Sequence, residues 1–166
     1  NAASWSIWAF LATLNAFTYN SMTGFTAVTL LFFISSTGCI TTFFYLLFIK
    51  KFSRLEPWEW VTIALGIVAV LIWWKFRLVQ FANLITIFAL AISFAPTFMG
   101  VRRDPSNEVV LPWALWTLAF IIATTALVLQ GGEPIAFIAP TVDILLHGSI
   151  AVFSSTKRKA VFQKIS

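Results

Sequence analysis

A chain of 166 residues that is 60% hydrophobic and only 10% charged, with 18 Phe and 8 Trp, departs from the composition of a water-soluble domain and matches that of a membrane protein. The formal charge is +5, from 11 Lys and Arg against 6 Asp and Glu, and the basic residues sit at the ends of apolar runs. That placement makes lipid headgroups, not nucleic acid, their expected partner.

The chain begins at Asn1, not at an initiator methionine, and its first residues lack the charged region, apolar core and cleavage site of a signal peptide. Crossing a bilayer core of about 30 Å takes about 20 apolar residues. Six runs qualify. The first, 4–20, is closed by Thr23-Gly24, and the second, 25–49, ends at Lys50-Lys51. The third, 58–74, opens after Pro57, and the fourth is 78–99. The fifth, 111–130, carries Pro112 at its start and follows a loop with Pro105. The sixth, 134–155, is reached through Gly131-Gly132-Glu133-Pro134. Only Lys75 and Arg77 separate the third run from the fourth. A fused helix would bury both charges at its centre, so two helices are predicted. Cys39 lies inside the second run, forms no intrachain disulfide and reads as a small core residue.

Alternating the loops between two sides puts Lys50, Lys51, Arg54, Arg102, Arg103, Lys157, Arg158, Lys159 and Lys164 together, and leaves Lys75 and Arg77 opposite. Excess Lys and Arg mark the cytoplasmic side, so both visible ends are predicted to be cytoplasmic. Trp5, Trp8, Trp58, Trp60, Trp113 and Trp116 fall on that side and Trp73 and Trp74 on the other, the pattern of two interfacial belts.

Ser4-Trp5-Ser6-Ile7-Trp8 matches Pro112-Trp113-Ala114-Leu115-Trp116 at a spacing of 108 residues, and the same spacing sets Thr23-Gly24 against Gly131-Gly132. Both units then run into a helix ending in a basic cluster. Two units of the same orientation need an odd number of helices each and an odd linker. The expected fold is therefore all-α and membrane-integral, with six visible transmembrane helices in two parallel three-helix repeats. Residues 1–50 form an incomplete first repeat, 51–77 carry a linker helix at 58–74, and 78–166 form the second repeat with a basic tail. A further apolar helix is expected upstream of Asn1.

Ala95-Pro96-Thr97, the turn Val101-Arg102-Arg103-Asp104-Pro105-Ser106-Asn107-Glu108, and the helix opening Leu111-Pro112-Trp113 resemble the SWEET and PQ-loop superfamily. In that family the proline is usually followed by Gln, where this chain has Thr97. The resemblance implies two parallel three-helix bundles joined by an inversion linker, a solute site between the bundles, and a bacterial inner-membrane location. By helix position it points to Ser35, Ser36 and Thr37 in the second run and to Asp143 and His147 in the sixth. Pro96 removes one backbone hydrogen bond. It reads either as a hinge or as a proline tolerated near a helix end.

Asp143 is the one acid well inside an apolar run, and His147 lies four residues on, on the same helical face. An ionisable group at that depth costs about 2.5 to 3.5 kcal/mol on insertion scales. The pair reads equally as a proton or solute site and as a satisfied structural pair. Asn15 and Asn83 are further buried-polar candidates, for a solute or as glue between helices. One His and one Cys make no metal cluster, no glycine-rich phosphate loop is present, and no serine has a visible base. No enzyme, cofactor or metal is therefore expected. The predicted function is a carrier of a small polar solute working by alternating access. The alternative is an accessory subunit packed in a larger membrane complex, for which Phe32, Phe33, Phe43, Phe44 and Phe48 offer a contact face.

Overall fold

Backbone hydrogen-bond accounting at the helix ends determines how this apolar chain is divided. The computed structural model describes residues 2–51, 54–55 and 57–162, with side chains as far as 155 except that of residue 107. Asn1 and Lys164 lie outside the described residues, as do the side chains of Lys157, Arg158 and Lys159. The described residues form seven α-helices and no strand: α1 (Ala2–Thr23), α2 (Ala27–Phe48), α3 (Pro57–Phe76), α4 (Val79–Ser93), α5 (Ala95–Arg103), α6 (Val110–Leu129) and α7 (Ile138–Phe162). Short 3₁₀ turns, Pro105–Asn107 and Pro134–Phe137, precede α6 and α7.

Helix α1 ends at Gly24, whose φ of 73° suits a residue without Cβ and whose N–H donates to the Asn20 carbonyl at 2.9 Å. Thr26 then caps α2 by accepting from the Thr29 N–H at 3.2 Å. Helix α2 closes with Lys50 in the left-handed region (φ 56°), Lys51 donating back to Leu46 at 2.9 Å. Arg77, also left-handed (φ 57°), separates α3 from α4, and the two pack against each other. Two helices therefore occupy the stretch that only Lys75 and Arg77 interrupt. Gly131 (φ 70°) closes α6, with Gly132 donating to Leu127 at 3.1 Å. The 108-residue spacing pairs Gly24 with Gly132, whereas the left-handed residues are Gly24 and Gly131, so the two turns are one residue out of register.

The fourth predicted run, 78–99, is extended and interrupted. Pro96 has no N–H to offer the carbonyl of Ile92, and α4 stops at Ser93. The Phe94 N–H divides between Leu90 (3.2 Å) and Ala91 (3.3 Å), and α5 carries the chain on to Arg103.

Five helical stretches are long and apolar enough to cross a membrane: Ala27–Phe48, Pro57–Phe76, Val79–Arg103, Val110–Leu129 and Pro134–Ser155. This is an integral membrane protein. The first predicted run, as α1, is not among the five. Its 22 residues reach about 33 Å at 1.5 Å per residue. Its composition is set by enclosure, because α1 packs against α2, α3 and α4 and buries Ala9, Ala12, Asn15, Ala16 and Thr18. Small residues allow the close helix approach that lipid-facing Leu and Phe would prevent.

Helices α6 and α7 form a second closely packed pair, which meets the first group through α2 against α6 and α4 against α7. The Ala2 N–H donates to the Lys51 carbonyl at 2.8 Å, so α1 starts where α2 ends. At the opposite end a core of Tyr19, Val28, Phe32, Phe120, Leu127 and Ala136 knits α1, α2, α6 and the turn before α7 together. The Tyr19 hydroxyl donates to the Ala136 carbonyl at 2.8 Å within it.

Candidate functional site

The two groups of helices part at the basic end. Between α1, α2, α6 and α7 lies a cavity of about 420 Å³, within the size range of small-molecule sites. It runs from Glu108 and the exposed Val109 at its mouth to His147 at its floor. The walls are dominated by four indoles, Trp5 and Trp8 from α1 and Trp113 and Trp116 from α6. These four indoles line the cavity, a role that the interfacial-belt expectation did not include. Residues three apart share a helix face, and on α6 that face points inward while Leu111, Leu115 and Leu118 point out. Trp60 and Trp74 do stand exposed.

His147 sits in an aromatic enclosure. The ring centroids of Phe94, Trp113 and Phe120 lie 5.1, 5.5 and 5.9 Å from that of the imidazole. Phe94 in turn contacts Trp8 at 4.6 Å, which carries the aromatic wall across from α6 to α1. The break before Pro96 places Phe94 there, at the junction of α4 and α5. Neither Phe94 nor Phe120 stands out in the sequence.

Asp143 and His147 do share one face of α7. The shorter of their two contacts is to the backbone, because His147 Nδ1 donates to the Asp143 carbonyl at 2.8 Å. A carbonyl only accepts, so Nδ1 carries the proton and Nε2 is the remaining acceptor of the neutral ring. The Asp143 carboxylate stands 3.8 Å from Nδ1, at ion-pair distance but beyond a hydrogen bond. It lines a recess of about 30 Å³, room for a water molecule. Asn15 lines the same recess, and Trp8, Ser35, Cys39 and His147 are common to recess and cavity.

The remaining sequence candidates divide. Ser35 lies in the wall of the cavity. Ser36 is buried and bonds Thr13 Oγ1 of α1 at 2.6 Å, fastening two helices together. Thr37 is exposed and donates to the Phe33 carbonyl of its own helix at 2.8 Å, so the geometry takes it out of the site. Asn83 is 2% exposed and donates to Asn15 Oδ1 at 2.9 Å and to Thr18 Oγ1 at 3.0 Å. It binds α4 to α1 and lines neither the cavity nor the recess. Pro96 borders a separate cavity of about 210 Å³ together with Trp58 and Arg54. Cys39, read as a core residue, is buried yet contributes to the cavity wall.

Some of the polar groups of the main cavity are engaged already. Trp113 Nε1 donates to Glu108 Oε2 at 3.0 Å, and the Thr42 hydroxyl donates to the Gly38 carbonyl at 2.8 Å. In the loop outside the helices, the Asp104 carboxyl accepts from the Ser106 hydroxyl at 2.6 Å and from the Ser106 N–H at 2.9 Å. These bonds hold it below the ordinary carboxylate range. Among the described residues, no three His, Cys, Asp or Glu side chains converge on a point where a metal would sit.

At the opposite end a groove of about 410 Å³ is bordered by Gln80, Gln130 and Glu133. It abuts Leu127 and Ala136 of the closing core. The molecule thus has a hollow at each end, with Tyr19, Phe32 and Phe120 packed between them. Comparison with known protein families, with curated proteins and with solved structures finds no match.

Proposed function

We propose that the protein is a membrane carrier of a small polar solute that works by alternating access, with the tryptophan-walled cavity as its solute site. The observation that carries this reading is the pair of end hollows divided by a packed aromatic core. A packed middle between two hollows is the barrier that alternating access requires. An accessory subunit would have no reason to keep a hollow that reaches the buried His147 and adjoins a recess lined by Asp143. Ionisable side chains inside membrane proteins generally mark solute or ion pathways; His147 lines the tryptophan-walled hollow and Asp143 the recess that adjoins it.

In this reading α1 spans the membrane as a sixth helix, shielded from lipid by its neighbours. The end bearing Lys50, Lys51, Arg102 and Arg103 faces the cytoplasm of a bacterial inner membrane, and the cavity is open on that side. The likeness to the SWEET and PQ-loop superfamily supplies the two-bundle arrangement and an inversion linker in α3. The hairpins α1–α2 and α6–α7 would be the related units. The break at Pro96 is placed to let α5 swing against α4.

Uptake into proteoliposomes tests the proposal. A carrier gives saturable solute uptake with counterflow, and Asp143→Asn lowers it at least tenfold while the protein stays folded. Correctly folded protein that exchanges no sugar, amino acid, vitamin or amine would refute it. In that case the exposed aromatic face of α2, with Phe44, Tyr45 and Phe48, would favour the accessory-subunit alternative. A stoichiometric partner after gentle detergent extraction would then be expected.

A further inference from the structure

We propose that the tryptophan-walled cavity selects an organic cation, an ammonium group carried on a small body. This deepens the carrier reading and rests on the cavity being the solute site. Four indoles form the walls, and the carboxyls that reach cavity and recess are those of Glu108 and Asp143. No Lys or Arg stands among the lining residues of either. The faces of the aromatic rings make the potential inside negative, and the Asp143 carboxyl stands one recess beyond the wall. An ammonium centred within about 6 Å of an indole face is attracted by the ring quadrupole. An anion would meet the same fields with the opposite sign.

A polyhydroxylated neutral solute is poorly served by the same walls. Such a solute needs many hydrogen-bonding partners to replace its water. Here the Trp113 N–H is held by Glu108, the Thr42 hydroxyl by the Gly38 carbonyl, and His147 Nδ1 by the Asp143 carbonyl, so such a solute has mainly His147 Nε2 and the other indole N–H groups to turn to. A cation needs little of that directionality. It needs faces and a nearby negative group: Trp5, Trp8, Trp113 and Trp116 supply the faces, and Asp143 lines the adjoining recess. The Asp143 carboxylate lies beyond hydrogen-bond distance of His147 and lines the water-sized recess behind the cavity, so it acts on a headgroup held among the indoles across that recess and not by direct contact.

The test is equilibrium binding to the full chain in lipid nanodiscs. Two probes of nearly equal shape are compared, choline and its neutral isostere 3,3-dimethylbutan-1-ol. Choline is expected to bind saturably and at least tenfold more tightly than the alcohol, about 1.4 kcal/mol. Asp143→Asn and Trp116→Leu should each weaken choline about tenfold, with Trp116→Phe recovering most of the loss. Trp60→Leu, on the exposed face of α3, should leave binding unchanged and controls for general effects of removing an indole. Equal affinity for choline and the alcohol overturns the proposal. So does the absence of choline binding by folded wild-type protein. Choline binding without uptake into proteoliposomes supports the cation site and refutes the carrier. Uptake of a neutral solute that choline does not inhibit refutes the cation site and keeps the carrier.

Discussion

Replacing Asn83 by Ala separates glue from solute site. The side chain is 2% exposed, and its amide donates to Asn15 Oδ1 at 2.9 Å and Thr18 Oγ1 at 3.0 Å, joining α4 to α1. Interhelical hydrogen bonds in membranes average about 0.6 kcal/mol and reach about 1.7. Losing two gives about 1.2 kcal/mol. Thr18 keeps its own bond to the Leu14 carbonyl at 2.8 Å and is little affected, but Asn15 Oδ1 loses its donor inside the bundle. The penalty for an unsatisfied buried acceptor raises the expected total to about 2 kcal/mol. Reversible denaturant titration in bicelles, followed by helicity, measures it. In a double-mutant cycle with Asn15→Ala the two changes should be non-additive, with a coupling of about 0.6 to 1.7 kcal/mol. Transport by the folded Asn83→Ala fraction should match wild type. Strictly additive effects, or a loss of transport at unchanged stability, would refute the reasoning and return Asn83 to the site.

Three further outcomes are expected. Tyr19→Phe removes the buried bond to the Ala136 carbonyl between the two hollows and should cost about 1 to 2 kcal/mol in the same titration. Gly131→Ala forces a side chain into left-handed backbone and should destabilise by about 1 kcal/mol, whereas Gly38→Ala, in a helix with open space around it, should stabilise by about 0.5 to 1 kcal/mol. Ser106→Ala removes the larger of the two bonds to Asp104, so the carboxyl should rise toward its ordinary range, as read by side-chain carboxyl NMR against pH. Because that carboxyl is depressed in the folded protein, its contribution to stability is present above the unfolded value and is lost as pH falls through the folded one. The variant keeps the Ser106 N–H bond and should show a smaller acid-side loss.

Helix number and placement were legible because they follow from length, charge and punctuation. An apolar run must reach about 20 residues to cross the core, Gly and Pro mark where backbone donors change partners, and Lys75 and Arg77 do not go into lipid. The departures have equally local causes. The break at Phe94 lies two residues before the proline that produces it, because the missing donor frees a carbonyl one turn back. Helix α1 has the composition of a helix covered by protein, and composition records what surrounds a segment, not whether it crosses.

The faces of the helices were not legible, and the four cavity tryptophans show why. In water an amphipathic stripe tells inside from outside, because one side meets solvent. In a bilayer both sides are apolar, and α1, α3 and α6 carry almost no asymmetry around their axes. A Trp pair three residues apart then fits a headgroup belt and a cavity wall equally well from composition alone. What separates the two is which neighbours share the face. On α6 the residues outside the tryptophan stripe include Leu111, Leu115 and Leu118, a row suited to lipid, and a helix with a dedicated lipid face must turn its other face to protein. The tryptophans on that second face are therefore held inward by the leucines. His147 on α7 then meets aromatic rings from α4 through α6 with no spacing in the chain to announce it.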